Sequence, residues 1–209
     1  MRQFRFIFVT TQLFVRFIYT GMKILSAFFL VCMLQASSVV AQSPVLPPVD
    51  KSPMDISYYP ANYPVLKIQD KITEPLLARV LYSRPKKEGR PIFGGLIEYG
   101  KVWRLGANEA TEIEFFKPVH INGKKVSKGR FTLYAIPNEK SWIIIVNKDT
   151  DTWGHFKYDA KKDVIRAEVP VTRTNESLET LAMAFERSTA GYNLIIAWEN
   201  VRVALPITH

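Results

Sequence analysis

Cysteine and histidine are scarce in this sequence. Cys32 is the only cysteine, and His120, His155 and His209 are the three histidines. A disulfide needs two cysteines, and a zinc site usually takes several Cys or His ligands at short spacing. The scarcity excludes a disulfide framework and argues against a metal centre. We predict neither a metal site nor a cofactor.

Acidic side chains are missing from residues 1–41, which hold four basic ones. Met22-Lys23 precedes the apolar run "ILSAFFLVCML", which is followed by "QASSVVAQ". This order is typical of a signal peptide, here cleaved before Gln42. We therefore predict that residues 1–41 are a signal peptide and that the protein is exported to the periplasm or the extracellular space. A true start at Met22 and an uncleaved anchor are the alternatives.

The apolar run of the leader is too short to span a bilayer, which takes about 20 residues. No stable membrane span is expected after cleavage.

The charge of the chain without its leader is mildly positive. Of the 28 basic residues, 24 remain without the four of the leader, against 19 acidic ones, which gives a net charge of +5. The basic runs at 84–90 and 124–130 are broken by proline, glycine or valine, as in solvated turns. A nucleic-acid binder would cluster its basic residues on one element, so nucleic acid is not an expected partner.

Proline is concentrated in residues 42–64, which hold six of the thirteen. Because proline cannot donate a hydrogen bond to a sheet ladder, this segment is predicted to be an extended spacer. Residues 65–208 then form one domain of ordinary size.

That domain is rich in β-branched and aromatic residues with period-two alternation, which is typical of strands. The predicted strands are 76–83, 97–105, 111–121, 129–137, 141–147, 163–171, 192–199 and 201–207. Asn122-Gly123 predicts a tight turn, and Glu199-Asn200 a turn between the last two strands. Residues 177–186 fit both helical and strand spacing, and their context favours a strand. We predict an all-β fold, an antiparallel β-sandwich that is jelly-roll-like or barrel-like, with few or no helices.

The stretch "WRLGANE", from Trp103 to Glu109, is either a site or a corner between strands. Gly106 breaks a strand, and Asn108 can bond its own backbone in a turn. As a corner, Trp103 would be core and Arg104 would pair with a carboxylate. Binding residues nevertheless concentrate on loops that a rigid sheet holds. We expect Arg104 to be a support and Asn108 to belong to a site.

Two long blocks of the sequence carry a family resemblance, "YSRPKKEGRPIFGGLIEYGKVWRLGANEATEIEF" and "INGKKVSKGRFTLYAIPNEKSWIIIVNKDTDTWG". They resemble the exported bacterial proteins of domain-of-unknown-function family 2911. The resemblance extends from about Leu76 to Ile207, and "VWRLGANEAT" and "GRFTLYAIP" are its most specific parts. It implies an exported all-β domain without an established activity. The residues that match the family pattern are Tyr82, Ser83, Arg84, Pro85, Gly94, Gly95, Tyr99, Trp103, Arg104, Gly106, Ala107, Asn108, Thr111, Trp153 and Gly154.

Three functions remain open. The first is a ligand-binding module of the cell envelope that takes a glycan, a peptide end or another small anion, because arginine forks grip carboxylates and phosphates and aromatic rings offer flat faces. Its candidate residues are Arg84, Tyr99, Trp103, Arg104, Asn108, Glu109 and Trp153. The second is a hydrolase that uses two carboxylates, drawn from Glu98, Glu109, Asp149 and Asp151. The third is an accessory domain of an envelope assembly, and the oligomeric state is open.

Overall fold

The structure is a computed structural model that describes Met22 and residues 44–209. The predicted signal peptide, Met22 apart, lies outside the described residues and stays a prediction. Residues 44–48 are exposed and carry no regular secondary structure, and Val49–His209 forms a unit of its own. No helix in the described part of the chain has the length and apolarity that a membrane crossing requires.

Ten strands make up about half of the described chain. In chain order they are β1 (Met54–Tyr59), β2 (Ala78–Ser83), β3 (Glu112–Phe115), β4 (Val119–Ile121), β5 (Lys124–Val126), β6 (Gly129–Pro137), β7 (Ser141–Asn147), β8 (Asp163–Pro170), β9 (Thr172–Ser188) and β10 (Gly191–Thr208). One six-residue helix, α1 (Tyr63–Ile68), and one 3₁₀ turn, Ala160–Lys162, accompany them.

The strands form two sheets. One has the order β1-β2-β3-β6-β7-β8 and the other the order β5-β4-β10-β9. Every pair of neighbouring strands is antiparallel. The two sheets do not close into a barrel. The predicted antiparallel β-sandwich is thereby confirmed.

The core lies where the apolar faces of the two sheets meet. In β3, Ile113 and Phe115 are fully buried, whereas Glu112 and Glu114 alternate with them on the wetter face. In β8 the same period buries Ile165 and leaves Arg166 exposed. Because successive strand side chains point to opposite faces, period-two alternation places one set of residues in the core.

The segment 177–186, which fits helical and strand spacing alike, is part of β9. Leu181, Met183 and Phe185 are buried, while Leu178 is 39% exposed. A helix would have put Leu178 and Leu181 on one face, but a strand puts them on opposite faces. The prediction of a strand is confirmed.

The predicted tight turn at Asn122-Gly123 is also confirmed. It joins β4 to β5, and both residues have positive φ, +49° and +71°. A two-residue hairpin loop of type I′ needs positive φ at both positions, which explains the Asn-Gly pair.

Part of the predicted spacer belongs to the sheet. β1 pairs with β2 along its whole length between Pro53 and Pro60, and α1 lies just beyond it. The prolines flank the strand instead of interrupting it, so its ladder hydrogen bonds survive. The boundary between spacer and domain stays a prediction.

The strand predicted at residues 97–105 is wrong. This stretch holds turns and isolated bridges, of which Trp103 to Ala135 is one. Gly100 and Leu105 have φ of +73° and +56°, which a regular strand does not tolerate. The apolar residues Ile97 and Trp103 are buried all the same. The apolar pattern of residues 97–105 therefore indicates burial and does not indicate pairing in a sheet.

The turn predicted at Glu199-Asn200 is wrong as well. β10 runs through both residues, and its register against β9 shifts on either side of Glu199, whose φ is +54°. The irregularity is therefore a bulge that bends one long strand. The predicted strand 111–121, conversely, is divided at Pro118 into β3 and β4, which belong to different sheets.

Candidate functional site

The connection between β2 and β3, residues 84–111, is unusually long for two paired neighbours. Loops beyond about 12 to 15 residues without secondary structure of their own are uncommon and often functional. This one contains the "WRLGANE" stretch and both arginines predicted to bind.

Buried hydroxyl groups fix the shape of this connection. Ser83 Oγ donates to Ala107 O at 2.7 Å and accepts from Ala107 N at 2.6 Å. Thr111 Oγ1 donates to Leu105 O at 2.8 Å, and Trp103 Nε1 to Gly106 O at 3.2 Å. The corner is thus held by hydrogen bonds that leave its backbone little freedom.

Gly106 is required by the close approach of Ser83. A Cβ atom built on Gly106 would lie 2.6 Å from Ser83 Oγ. The Ser83 hydroxyl donates to the carbonyl of Ala107 and accepts from its N–H, so moving the hydroxyl away would weaken both hydrogen bonds. The glycine therefore answers a packing need at this corner.

A second connection, residues 148–162 between β7 and β8, meets the first. Ala110 N donates to Thr152 O at 3.0 Å, and Gly154 N to Asn108 O at 2.8 Å. Glu109 and Trp153 form an isolated antiparallel bridge. These backbone contacts bring His155 next to the "WRLGANE" stretch.

A cleft of about 350 Å³ lies beside this junction. Its walls come from the first connection, the second connection, the segment before β1 and strand β10. The lining residues are Ser52, Pro85, Arg90, Leu96, Ile97, Glu98, Lys101, Val102, Trp103, Arg104, Gly106, Ala107, His155 and Trp198.

Arg104 is the polar group of the cleft whose bonding is least complete. Its Nε is buried and has no hydrogen-bond partner, and the guanidinium forms no ion pair with any residue of the described chain. Burial lowers the pKa of Arg104 below its ordinary value. The carboxylate partner that a supporting role requires is missing among the described residues.

His155 presents the second incompletely bonded group. Its Nδ1 is buried and has no partner among residues 44–209. Burial lowers the pKa of this imidazole, and the charge of Arg104 lowers it further. The ring stacks on that of Phe156, with centroids 5.6 Å apart and 15° between the planes. Two nitrogens without partners thus lie in one cleft.

The charges lining the cleft are predominantly positive. Arg90, Lys101 and Arg104 contribute three cationic side chains, against the single carboxylate of Glu98. Arg90 donates to the backbone oxygens of Lys86 and Lys87, and its Nη2 lies 3.8 Å from the carboxylate of Glu88 in an exposed ion pair. A cleft lined mainly by one sign of charge attracts ligands of the opposite sign.

Trp103, one of the predicted site residues, belongs to the core and borders the cleft. It is 6% exposed and stacks on Trp198 with centroids 6.2 Å apart. It also meets Trp142 edge to face at 5.8 Å. Trp103 and Trp198 line the cleft, and Trp142 packs against Trp103 from the core, so this part of the cleft has a rigid aromatic wall.

Arg84, also predicted to bind, lies outside the cleft and joins the two sheets. Its Nε donates to Leu181 O of β9 at 3.2 Å, and its Nη1 pairs with Asp55 of β1 at 3.0 Å. Tyr82 reinforces this contact by donating to Met183 O at 3.2 Å. We call Arg84, Asp55 and Tyr82 the sheet clamp.

The other predicted residues do not line the cleft. Asn108 Nδ2 donates to Asp50 Oδ2 at 2.9 Å, and Tyr99 places its ring against Gly94. Glu109 and Trp153 are exposed, Trp153 by 61%. The structure thus brings Trp103 and Arg104 together and leaves Arg84, Tyr99, Asn108, Glu109 and Trp153 elsewhere.

The carboxylates proposed for a hydrolase are not gathered. Glu98 alone of the four lines the cleft. Asp149 pairs with Lys162 at 2.9 Å, and Asp151 with Arg130 at 2.6 Å. Among the described residues there is also no group of three or more His, Cys, Asp or Glu side chains that could hold a metal ion.

Sequence reasoning missed His155, Arg90 and Lys101 as cleft residues. His155 had one usable signal, because it is the only histidine in a predicted loop and follows the family-pattern pair Trp153-Gly154. Its proximity to Arg104 depends on two connections far apart in the chain, and no local pattern encodes that meeting.

Comparison with known proteins gives one match. Residues 64–207 match the family described as "Protein of unknown function (DUF2911)", as the resemblance had implied. No curated protein and no solved structure matches the chain. Since the match covers more than half of the sequence and includes β2 to β9, nearly all of β10 and both connections that border the cleft, the chain belongs to the DUF2911 family.

Proposed function

We propose that this protein is a binding module for a small anionic ligand that carries a carboxylate or a phosphate. The observation that carries the proposal is Arg104, a half-buried guanidinium in a cleft, whose Nε has no partner among the described residues. Its charge is free to meet that of a ligand.

Burial of the Arg104 guanidinium carries an energetic cost. Taking a charge out of water is costly unless a partner compensates it. Arg104 bears this cost without a carboxylate partner among residues 44–209. An incoming anion would supply the missing acceptor, and the planar fork of the guanidinium suits the paired oxygens of carboxylate and phosphate.

The size of the cleft limits the ligand. At about 350 Å³ it is at the lower end of the range of about 300 to 1,000 Å³ that small-molecule sites occupy. A single sugar acid or a short peptide with a free carboxylate fits this volume better than a long glycan does. The rigid tryptophan wall supports a preformed site, because no aromatic side chain has to be ordered on binding.

Export is part of the same proposal. The leader pattern of residues 1–41 supports a place in the cell envelope or outside the cell. Mass spectrometry of the protein made by its native host should find Gln42 at the amino terminus. Peptides that contain Phe29 in the purified protein would contradict export by cleavage.

The binding test uses isothermal titration calorimetry with four probes. Inorganic sulfate and phosphate represent tetrahedral anions, glucuronate represents a sugar acid, and glucose is its uncharged counterpart. We expect at least one anion to bind and glucose not to bind. The probe that binds most tightly distinguishes a phosphate-like from a carboxylate ligand.

Arg104→Gln is the decisive variant, because it removes the charge and keeps a shorter, neutral side chain that can still form hydrogen bonds. A hydrogen bond to a charged group contributes about 1.5 to 3 kcal/mol, so anion affinity should fall about 10-fold to 150-fold. Arg79→Gln is the matched control, since Arg79 pairs with Glu114 outside the cleft. Equal affinity of the wild type and Arg104→Gln for the anion would overturn the proposal.

A further inference from the structure

Arg104 and His155 both line the cleft, and each has one buried nitrogen without a hydrogen-bond partner among the described residues. Arg104 Nε and His155 Nδ1 are both buried and unbonded within residues 44–209. They come from different connections, and the backbone bond from Gly154 N to Asn108 O, 2.8 Å long, brings those connections together. No acidic side chain of the described chain accepts a hydrogen bond from either nitrogen.

We propose that the anion binds between Arg104 and His155, and that its binding brings one proton onto the imidazole of His155. Anion binding would then be coupled to proton uptake and would tighten as the pH falls. This inference rests on the proposed function and adds a second anchoring residue to the same site.

The free protein disfavours the charged imidazole. Burial lowers the pKa of His155, and the positive charge of Arg104 acts in the same direction. A bound anion reverses the second effect, because it neutralises the field of Arg104 and accepts a hydrogen bond from Nδ1. Opposite charge and hydrogen bonding both favour the protonated ring.

The other charged groups that line the cleft are Arg90, Lys101 and Glu98. On the connection that carries His155, Asp149 pairs with Lys162 and Asp151 with Arg130. Asp163, the first residue of β8, accepts a hydrogen bond from Tyr158. Imidazole is the side chain whose charge ordinarily changes between about pH 5 and 8. His155 is the one histidine that lines the cleft of the described chain, so it is the group expected to take the proton.

The ring of Phe156 packs on the imidazole of His155. Gly154 has φ of +68°, and a Cβ atom at this position would lie 2.7 Å from the ring of Phe156. Only glycine accommodates both conditions easily. Phe156 can therefore lie over Gly154 and stack on His155, which limits the rotation of the imidazole.

The test measures protons taken up per anion bound. The probe is inorganic sulfate, which keeps its charge between about pH 5 and 8, so that any proton taken up belongs to the protein. Calorimetric titrations at about pH 7, in two buffers of different ionisation enthalpy, give the proton count. We expect a positive count of up to one proton for the wild type, and an affinity that rises by at most about tenfold per pH unit as the pH falls.

The variants are His155→Gln and, as the matched control, His120→Gln. His120 is exposed on β4 and does not line the cleft. His155→Gln should bind sulfate without proton uptake and with an affinity that no longer depends on pH. His120→Gln should keep the proton count and the pH dependence of the wild type. A histidine NMR titration adds a direct reading, in which saturating sulfate should raise the pKa of His155.

The outcomes separate this inference from the proposed function. Binding that needs Arg104 but takes up no proton would overturn the coupling and leave the anion site standing. Proton uptake that persists in His155→Gln would overturn the assignment to His155. If none of sulfate, phosphate and glucuronate binds at any pH between about 5 and 8, the proposed function and this inference both fail.

Discussion

Arg84 and Arg104 lie in the same connection and both match the family pattern, yet the structure treats them differently. Arg84 donates to Leu181 O and pairs with Asp55, whereas Arg104 has no partner in the part of the chain that the structure describes. The same residue type therefore closes the two sheets in one place and stands free in the other. The difference shows that an arginine is a candidate binding residue when its side chain lacks a hydrogen-bond or ion-pair partner within the described chain.

The position of each arginine explains the difference. Arg84 directly follows β2, which places it beside β1 of its own sheet and opposite β9 of the other. Arg104 follows the buried Trp103 in a stretch where regular pairing has ended, and its side chain turns to the cleft. The sequence favours a support at Arg104 and a binding role at Asn108, and both roles stay predictions. In the structure Asn108 is hydrogen-bonded to Asp50, whereas Arg104 Nε has no partner among the described residues.

The largest loss of stability is expected for Gly106→Ala. This change disturbs the hydrogen-bonded corner next to Arg104 and leaves the sheet clamp intact. The new methyl group would meet Ser83 Oγ at 2.6 Å. Overpacking of this kind costs about 1 to 3 kcal/mol of unfolding free energy. Urea denaturation of the purified variant measures it.

Ser83→Ala supplies the control for that clash. In a Ser83→Ala background the hydroxyl is gone, so Gly106→Ala should cost less than it does in the wild type. A cost that is unchanged by Ser83→Ala would show that the two residues are not coupled and would remove the packing explanation for Gly106.

Arg84→Ala should follow, with a loss of about 1 to 2 kcal/mol of unfolding free energy. It removes the hydrogen bond to Leu181 O and the pair with Asp55, whose two side chains are each 39% exposed. Solvent screening at such a pair keeps the loss below that of a fully buried one. Chemical denaturation gives the value.

Arg79→Ala is the matched control for Arg84→Ala. Arg79 lies on β2, the strand that Arg84 directly follows, and it pairs with Glu114 on the neighbouring strand. An exposed pair of this kind contributes under about 1 kcal/mol. Equal losses for Arg79→Ala and Arg84→Ala would contradict a special role of the clamp.

The smallest expected effect is a pH dependence of stability that comes from His155. The pKa of His155 is lowered from 6.5 in the folded, unliganded protein, so the unfolded chain binds more protons than the folded one as the pH falls below about 6.5. The free energy of unfolding that this pKa difference contributes is fully present above that pH. It is lost as the pH falls through the lower pKa of the folded state. Denaturation of His155→Gln at several pH values should show a flatter acid limb than the wild type; parallel limbs would contradict the shift.

The sandwich could be predicted because its signals are local. Alternation in β3, the Asn122-Gly123 turn and the period-two burial of β9 are each encoded within a few residues. The prediction failed at residues 97–105 because burial of Ile97 and Trp103 was mistaken for ladder pairing. Positive φ at Leu105, a residue type that rarely adopts it, carries no signal in the sequence.

The candidate site could be predicted only in part. Trp103 and Arg104 were found because they share one unusual stretch. Arg84 could not be told apart from Arg104, since its partners Asp55 and Leu181 are distant in the chain and their proximity is a property of the fold. His155 escaped for the same reason.

The most direct test of the account compares Arg104→Met with Arg84→Met, each melted with and without the anion that binds best to the wild type. Without anion, Arg104→Met should unfold within about 0.5 kcal/mol of the wild type or be more stable, because it removes a half-buried charge that has no partner. It should lose the rise in melting temperature that the anion gives the wild type, whereas Arg84→Met should be less stable and keep that rise. The account would be contradicted if Arg104→Met lost as much stability as Arg84→Met, or if the anion stabilised it as strongly as the wild type.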